Sequence, residues 1–189
     1  KRQIYVSTWP SWWGTKKIWR SGDRGNTWSD ITPPNINGQD WIPYDITISS
    51  QDENIIWIAR CSMYGGVQDA QGYEVFKSLD GGNNFTQVMS GNFLEIEFHP
   101  NSSDTMYFVK HEEDSTLFYR SDDGGNSLTN FTNGWPNPNS VGGEQKRTEI
   151  ATSPAAPNKV VALATGSANG GSGLYGIYIS NDKGENWTF

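Results

Sequence analysis

With a single cysteine, Cys61, among its 189 residues the chain can form no internal disulfide. At the end of an apolar run, that cysteine reads as a small buried residue rather than a reactive thiol. No apolar run approaches the roughly 18 residues that a membrane-spanning helix requires, so no membrane span is expected. Lys and Arg total 14 against 21 Asp and Glu, a net charge of −7, and they cluster nowhere. Phosphate recognition draws on clustered cations, which argues against nucleic acid as a partner. The two histidines, His99 and His111, have no Cys, His or acid neighbours at ligand spacing, so neither a metal nor any other cofactor is expected. Glu112, Glu113 and Asp114 read as a solvated acidic loop rather than a calcium site. Helical periodicity is missing throughout.

What is present in quantity is Gly, Asn and aromatic residues, including nine Trp. One eight-residue phrase occurs four times: SGDRGNTW at 21–28, SLDGGNNF at 78–85, SDDGGNSL at 121–128 and SNDKGENW at 180–187. Its fixed members are Ser21, Asp23, Gly25 and Trp28; Ser78, Asp80, Gly82 and Phe85; Ser121, Asp123 and Gly125; and Ser180, Asp182, Gly184 and Trp187. Such a pattern suits a tight hairpin turn. The carboxylate accepts backbone N–H groups of its own turn, the glycine takes a backbone angle costly to other residues, and the terminal apolar residue packs beneath. In the third copy Leu128 replaces the aromatic.

The surroundings repeat too. A short apolar strand enters each turn (17–20, 73–77, 117–120 and 175–179) and, in three copies, another leaves it. A second β-rich run lies upstream (3–8, 55–59, 105–109 and 160–164), and the last three of these are preceded by a third run at 45–49, 94–98 and 149–152. Four short strands per unit, recurring every 43 to 59 residues, predict an all-β chain of propeller blades, at about 1–32, 44–89, 93–132 and 148–189.

The phrase and its setting resemble the Asp-box, or BNR-repeat, family of β-propellers, a likeness that covers nearly the whole chain. That family includes sialidases, xyloglucan-cleaving enzymes, sortilin-type receptors and repeat modules of secreted proteins, so it leaves function open. The chain enters at what is the second strand of a blade and stops early in the last strand of another. It is therefore expected to be an arc of a larger propeller, with a small four-bladed ring as the alternative. The resemblance places the repeated turns on the face opposite the ligand site, which makes their aspartates structural.

Ligand contacts are then expected in the loops from second to third strand (7–17, 61–73, 110–115 and 165–175) and between blades (31–45, 88–92 and 133–148). Those loops hold Trp9, Trp12, Trp13, Trp41, Trp135 and Tyr64. Such aromatics either stack on sugar rings or pin long loops and pack between blades. Asp45, Glu95 and Glu149 occupy one equivalent position near the start of adjacent inner strands, where they would line one mouth of the central channel. They are weak catalytic candidates: mutual repulsion could raise one pKa as a glycosidase acid needs, or they could bind a cation or solvate the channel. The sialidase template, with three substrate-binding arginines, finds little match, because Arg20 and Arg120 abut the turns on the wrong face. The expected role is a non-catalytic module that binds a glycan or a protein, joined to the remainder of a parent polypeptide. The alternative is part of a glycoside hydrolase. Segments 153–158 and 176–187 resemble modules of bacterial surface proteins and type IX secretion cargo, which implies an extracellular or cell-surface location.

Overall fold

The computed structural model describes residues 3–8, 16–33, 41–62, 73–137, 145–166 and 173–189. Every regular element among them is a strand, arranged in four antiparallel sheets taken in chain order. The first holds β1 (Ile4–Thr8), β2 (Lys17–Ser21) and β3 (Ser29–Asp30). The second holds β4 (Trp41–Ile48), β5 (Ile56–Ser62), β6 (Glu74–Ser78) and β7 (Thr86–Ser90). The third holds β8 (Phe93–Phe98), β9 (Met106–Glu112), β10 (Ser115–Ser121) and β11 (Thr129–Asn130). The fourth holds β12 (Gln145–Thr152), β13 (Val160–Gly166) and β14 (Leu174–Ser180), with Thr188 bridged to Ile179 where a further strand would start.

The apolar runs are continuous rather than alternating because each middle sheet is covered on both faces. In β5, Ile56 and Ile58 turn back to the first sheet while Trp57 and Ala59 turn forward to the third. The same division holds in β9, where Met106 and Phe108 face the second sheet and Tyr107 and Val109 the fourth. All eight side chains are almost wholly withdrawn from water. The core is thus three separate apolar junctions, one between each pair of consecutive sheets.

All four repeated turns share one hydrogen-bond pattern. In the second, the buried Ser78 Oγ accepts from the Gly82 N–H at 2.9 Å and donates to Asp80 Oδ1 at 2.9 Å. Asp80 then accepts the Asn84 N–H at 2.9 Å and the Asn84 side-chain amide at 2.7 Å. Asp23, Asp123 and Asp182 do the same with Thr27, Ser127 and Asn186. Hydrogen bonds from these neighbours hold each of the four carboxyls at about 2, well below the ordinary range. Leu128 does not disturb the third copy; it packs into the junction with the second sheet.

A second repeated device joins one sheet to the next. The residue before the turn serine is a cation in the first three sheets, and it reaches the following turn: Arg20 donates to the Gly81 carbonyl, Lys77 to Gly124 at 3.0 Å, and Arg120 to Lys183 at 3.2 Å. In the fourth sheet this position is Ile179.

Two inner strands start earlier than their sequences suggest. Pro43 cannot donate to a ladder, yet β4 begins at Trp41 and accommodates the proline at a register shift between Pro43 and Asp45. Trp41 therefore belongs to a strand rather than to a connecting loop. Strand β12 likewise starts at Gln145, with its shift between Gln145 and Arg147.

Candidate functional site

The end of the sheets opposite the repeated turns is formed by hairpins and sheet-to-sheet connections. At the junction of the second and third sheets it opens into a cleft of about 720 Å³. One wall is the β7–β8 connection, only Gly91 and Asn92 long. Gly91 is required there: its φ is +140°, and a Cβ would lie 2.9 Å from Lys110 Cε. Its N–H donates to the Tyr73 carbonyl, while the Asn92 carbonyl accepts from the His111 N–H at 2.8 Å. The opposite wall is the β9–β10 hairpin, with Lys110, His111, Glu112, Glu113 and Ser115 at the lining.

That hairpin is fixed from behind by buried Gln145 of β12. Its side-chain oxygen accepts the Thr116 N–H at 3.1 Å, and its own N–H donates to the Asp114 carbonyl at 2.8 Å. The Gln145 carbonyl lies 3.0 Å from His111 Nε2. A carbonyl only accepts, so Nε2 carries the proton and the imidazole orientation is set. Thr116 and Thr148 hydroxyls complete the attachment at 2.8 Å. In this region two buried polar atoms have no hydrogen-bond partner among the described residues: Asn92 Oδ1 and Gln145 Nε2. Lys110 pairs with Glu112.

The acids of the inner strands lie at this same end. Asp45, Glu95 and Glu149 pair across their sheets with Ala59, Val109 and Leu163, which are equivalent positions. Asp45 and Glu95 turn toward the following sheet. Asp45 Oδ2 accepts the Ile96 N–H at 2.7 Å, covering a backbone donor on the inner edge of β8. Glu95 is hydrogen-bonded to Glu149, which also pairs with Arg147. Burial first, then the charges of Asp45 and Glu149, push the Glu95 carboxyl up to about 9. Burial raises Asp45 to about 6, and burial with the Asp45 charge raises Glu97, two residues along the same face, to about 7.

The expected aromatic platform fares differently. Trp9, Trp12, Trp13 and Tyr64 lie outside the described residues, as does the side chain of Trp41. Trp135 is not a ligand-facing platform. It is 5% exposed, its indole N–H donates to the Thr116 carbonyl at 2.7 Å, and its ring packs on Phe118 and Trp187 at 5.2 and 4.7 Å. An indole beside a connection buries more apolar area between two sheets than in solvent, and here a carbonyl satisfies its one donor. The cleft is instead built from Tyr73, Asn92, Lys110 and His111. The loops 61–73, 88–92 and 110–115, marked by the repeat, carry or adjoin these residues. Among the described residues no group of His, Cys, Asp and Glu could hold a metal ion, and no helix is long and apolar enough to cross a membrane.

No protein-family model matches the sequence, and no curated protein matches it. Among solved structures, the chain is similar to the GH74 enzyme of Niastella koreensis, at 18% identity and a TM-score of 0.62 over 91% of this chain and 26% of that one. An ancestral GH74 enzyme matches at 15% identity and a TM-score of 0.61, over 90% of this chain and 21% of its own length. The fold is a β-propeller. TolB from Acinetobacter baumannii gives a TM-score of 0.59 at 14% identity, over 98% of this chain and 40% of that one. Identities so low speak for the fold alone, and the chain spans less than half of each of these structures. The sheets are accordingly blades, with β4, β8 and β12 as inner strands and the repeated turns at the opposite end from the cleft.

Proposed function

We propose that the chain is a non-catalytic binding module of a larger secreted or cell-surface protein, and that a glycan occupies the cleft between the second and third blades. The observation that carries this reading is Asn92, which lines a cleft large enough for several sugar rings and whose buried Oδ1 has no donor among the described residues. Leaving such an acceptor unmet costs about 1 to 3 kcal/mol, which a turn of the Asn92 side chain toward a ligand hydroxyl would recover. Tyr73 and Leu117 add apolar surface beside Lys110, Glu112 and Ser115, the mixture that suits a sugar's C–H faces and hydroxyls together. The Asp-box resemblance supports a place outside the cell, where flanking polypeptide would be the other partner.

The hydrolase alternative draws on Glu95, raised to about 9 beside a second carboxyl. Glycoside hydrolysis needs its carboxyls about 5 to 9.5 Å apart. Glu95 and Glu149 are in hydrogen-bond contact, and Asp45 is committed to the Ile96 N–H, so these acids favour a protein-internal role. Titration calorimetry against a panel of neutral and acidic oligosaccharides tests the reading, with Asn92→Ala as the variant. Binding that weakens at least tenfold in Asn92→Ala, with every oligosaccharide recovered intact, supports it. Cleavage that is lost in Glu95→Gln would establish the hydrolase instead. Binding of proteins but of no glycan would assign the cleft to a protein ligand.

A further inference from the structure

The charge of the cleft between the second and third blades is unbalanced. Among the described residues that line it, Lys110 is the only Lys or Arg, and it is already paired with Glu112. His111 offers no further donor at Nε2, whose proton is committed to the Gln145 carbonyl. Glu113 lines the cleft as well, is exposed, and has no ion-pair or hydrogen-bond partner among the described residues. It is therefore an uncompensated negative charge, in a chain whose net charge is −7. Its backbone sets it apart too. Glu113 and Asp114 form the two-residue turn between β9 and β10, and Glu113 takes φ +50°, an angle that glycine or asparagine adopts at less cost. The turn geometry gives no reason for a glutamate there, whereas its place in the cleft does.

We propose that the cleft selects uncharged glycans, and that Glu113 is the residue that rejects sugars carrying a carboxylate, such as uronates and sialates. The inference rests on the glycan reading above and adds to it the class of sugar. An anionic sugar in the cleft would find one cation, Lys110, and taking it from Glu112 would leave two carboxylates unpaired beside the sugar's own. Leaving Lys110 with Glu112 instead exposes the sugar to Glu113 alone. Two like charges about 7 Å apart weaken binding about threefold at the dielectric of water and about fiftyfold at the effective value of about 20 found near a protein surface. A cleft walled on two sides lies between those limits. A neutral sugar meets no such repulsion, and Ser90, Asn92 and Ser115 supply uncharged hydrogen-bonding groups along the same lining.

Calorimetry tests the proposal when each neutral oligosaccharide of the panel is matched with an anionic counterpart of equal length, such as cellohexaose with its C6-oxidised uronate and methyl-esterified with free hexagalacturonate. The wild type should bind the neutral member at least about fivefold more tightly at low salt. At 1 M salt, where charges are screened beyond about 3 Å, the ratio should shrink. Glu113→Gln removes the charge at constant size and should bring the ratio within about twofold. Glu113→Gly does the same while relieving the backbone, so it should lose discrimination without losing stability to urea. An anionic sugar bound as tightly as its neutral counterpart overturns the proposal and leaves the glycan reading standing. Discrimination that survives both Glu113→Gly and 1 M salt would be steric and also overturns it. Failure of every glycan to bind removes the glycan reading and this proposal together.

Discussion

Alanine at Gly125 would separate the two duties of the repeated glycine. Gly125 has φ +86°, and a Cβ there would lie 2.3, 2.6 and 3.3 Å from three atoms of the Trp57 indole of the preceding blade. Gly184 is placed likewise, its would-be Cβ 2.2 Å from the Phe118 ring. The glycine therefore lets the turn bend and also forms the socket into which an aromatic of the previous blade inserts. Left-handed backbone costs an alanine about 1 to 2 kcal/mol, and overpacking a rigid buried ring adds about 1 to 3 kcal/mol. Gly125→Ala should thus destabilise by about 2 to 5 kcal/mol, a shift of about 1 to 2.5 M in the urea midpoint for a slope of about 2 kcal/mol/M. Gly124→Ala is the control, since φ is +68° and its Cβ would meet nothing closer than 3.7 Å. Arg24 and Lys183 already occupy that position at positive φ in other blades, so it should cost only the backbone share of about 1 to 2 kcal/mol. Trp57→Phe removes the outer indole atoms that clash, and in that background Gly125→Ala should lose its extra cost. Urea unfolding followed by tryptophan fluorescence gives all four values. Equal penalties at 124 and 125, or no coupling between 57 and 125, would refute the socket.

Ser78→Ala leaves the buried Gly82 N–H without its acceptor and frees one hold on Asp80, so it should cost about 1 to 3 kcal/mol in the same urea assay; a loss below half a kcal/mol would contradict the turn's hydrogen-bond role. Stability should also fall as pH rises. The folded state holds the Glu95 proton up to about 9, against an ordinary 4.5, so its contribution is complete below about 4.5 and is lost as pH rises through about 9. Asp45 and Glu97 act in the same direction up to about 6 and about 7. The melting temperature of Glu95→Gln should therefore change less between pH 5 and pH 9 than that of the wild type. A wild type that gains stability over that range would contradict the burial of these carboxyls.

The strands and turns were legible in the sequence because both depend on near neighbours. The turn chemistry spans eight residues, and period or continuity of apolar residues reports which faces are covered. What escaped depends on distant partners. Trp135 at a connection looks the same in sequence whether it faces a ligand or packs edge-to-face with Trp187, 52 residues away. Glu97 carried no mark, since its raised pKa comes from burial and from Asp45 on another strand. The cleft needs Asn92, His111 and Gln145 brought together from three strands or their ends, and no local pattern encodes that. The cations Arg20, Lys77 and Arg120 did carry a signal, a fixed place before the turn serine, but its meaning required the next blade to be in view.

The two ends of each blade are under different constraints for a physical reason. At the turn end, serine, aspartate, glycine and the preceding cation all act on backbone groups or on the next blade, so a change at one copy disturbs two blades at once. That end repeats because its partners repeat. At the cleft end, hairpins are tied down individually: Gln145 fixes the β9–β10 hairpin through contacts that no other hairpin among the described residues copies. Side chains there can differ from blade to blade without loosening the junctions, whose apolar residues lie in the strands below. Specific binding needs such unequal surroundings, since four identical loops would offer four weak and equivalent sites. Asn92, which lines the cleft between the second and third blades and whose buried acceptor is unmet among the described residues, is one place where that inequality shows.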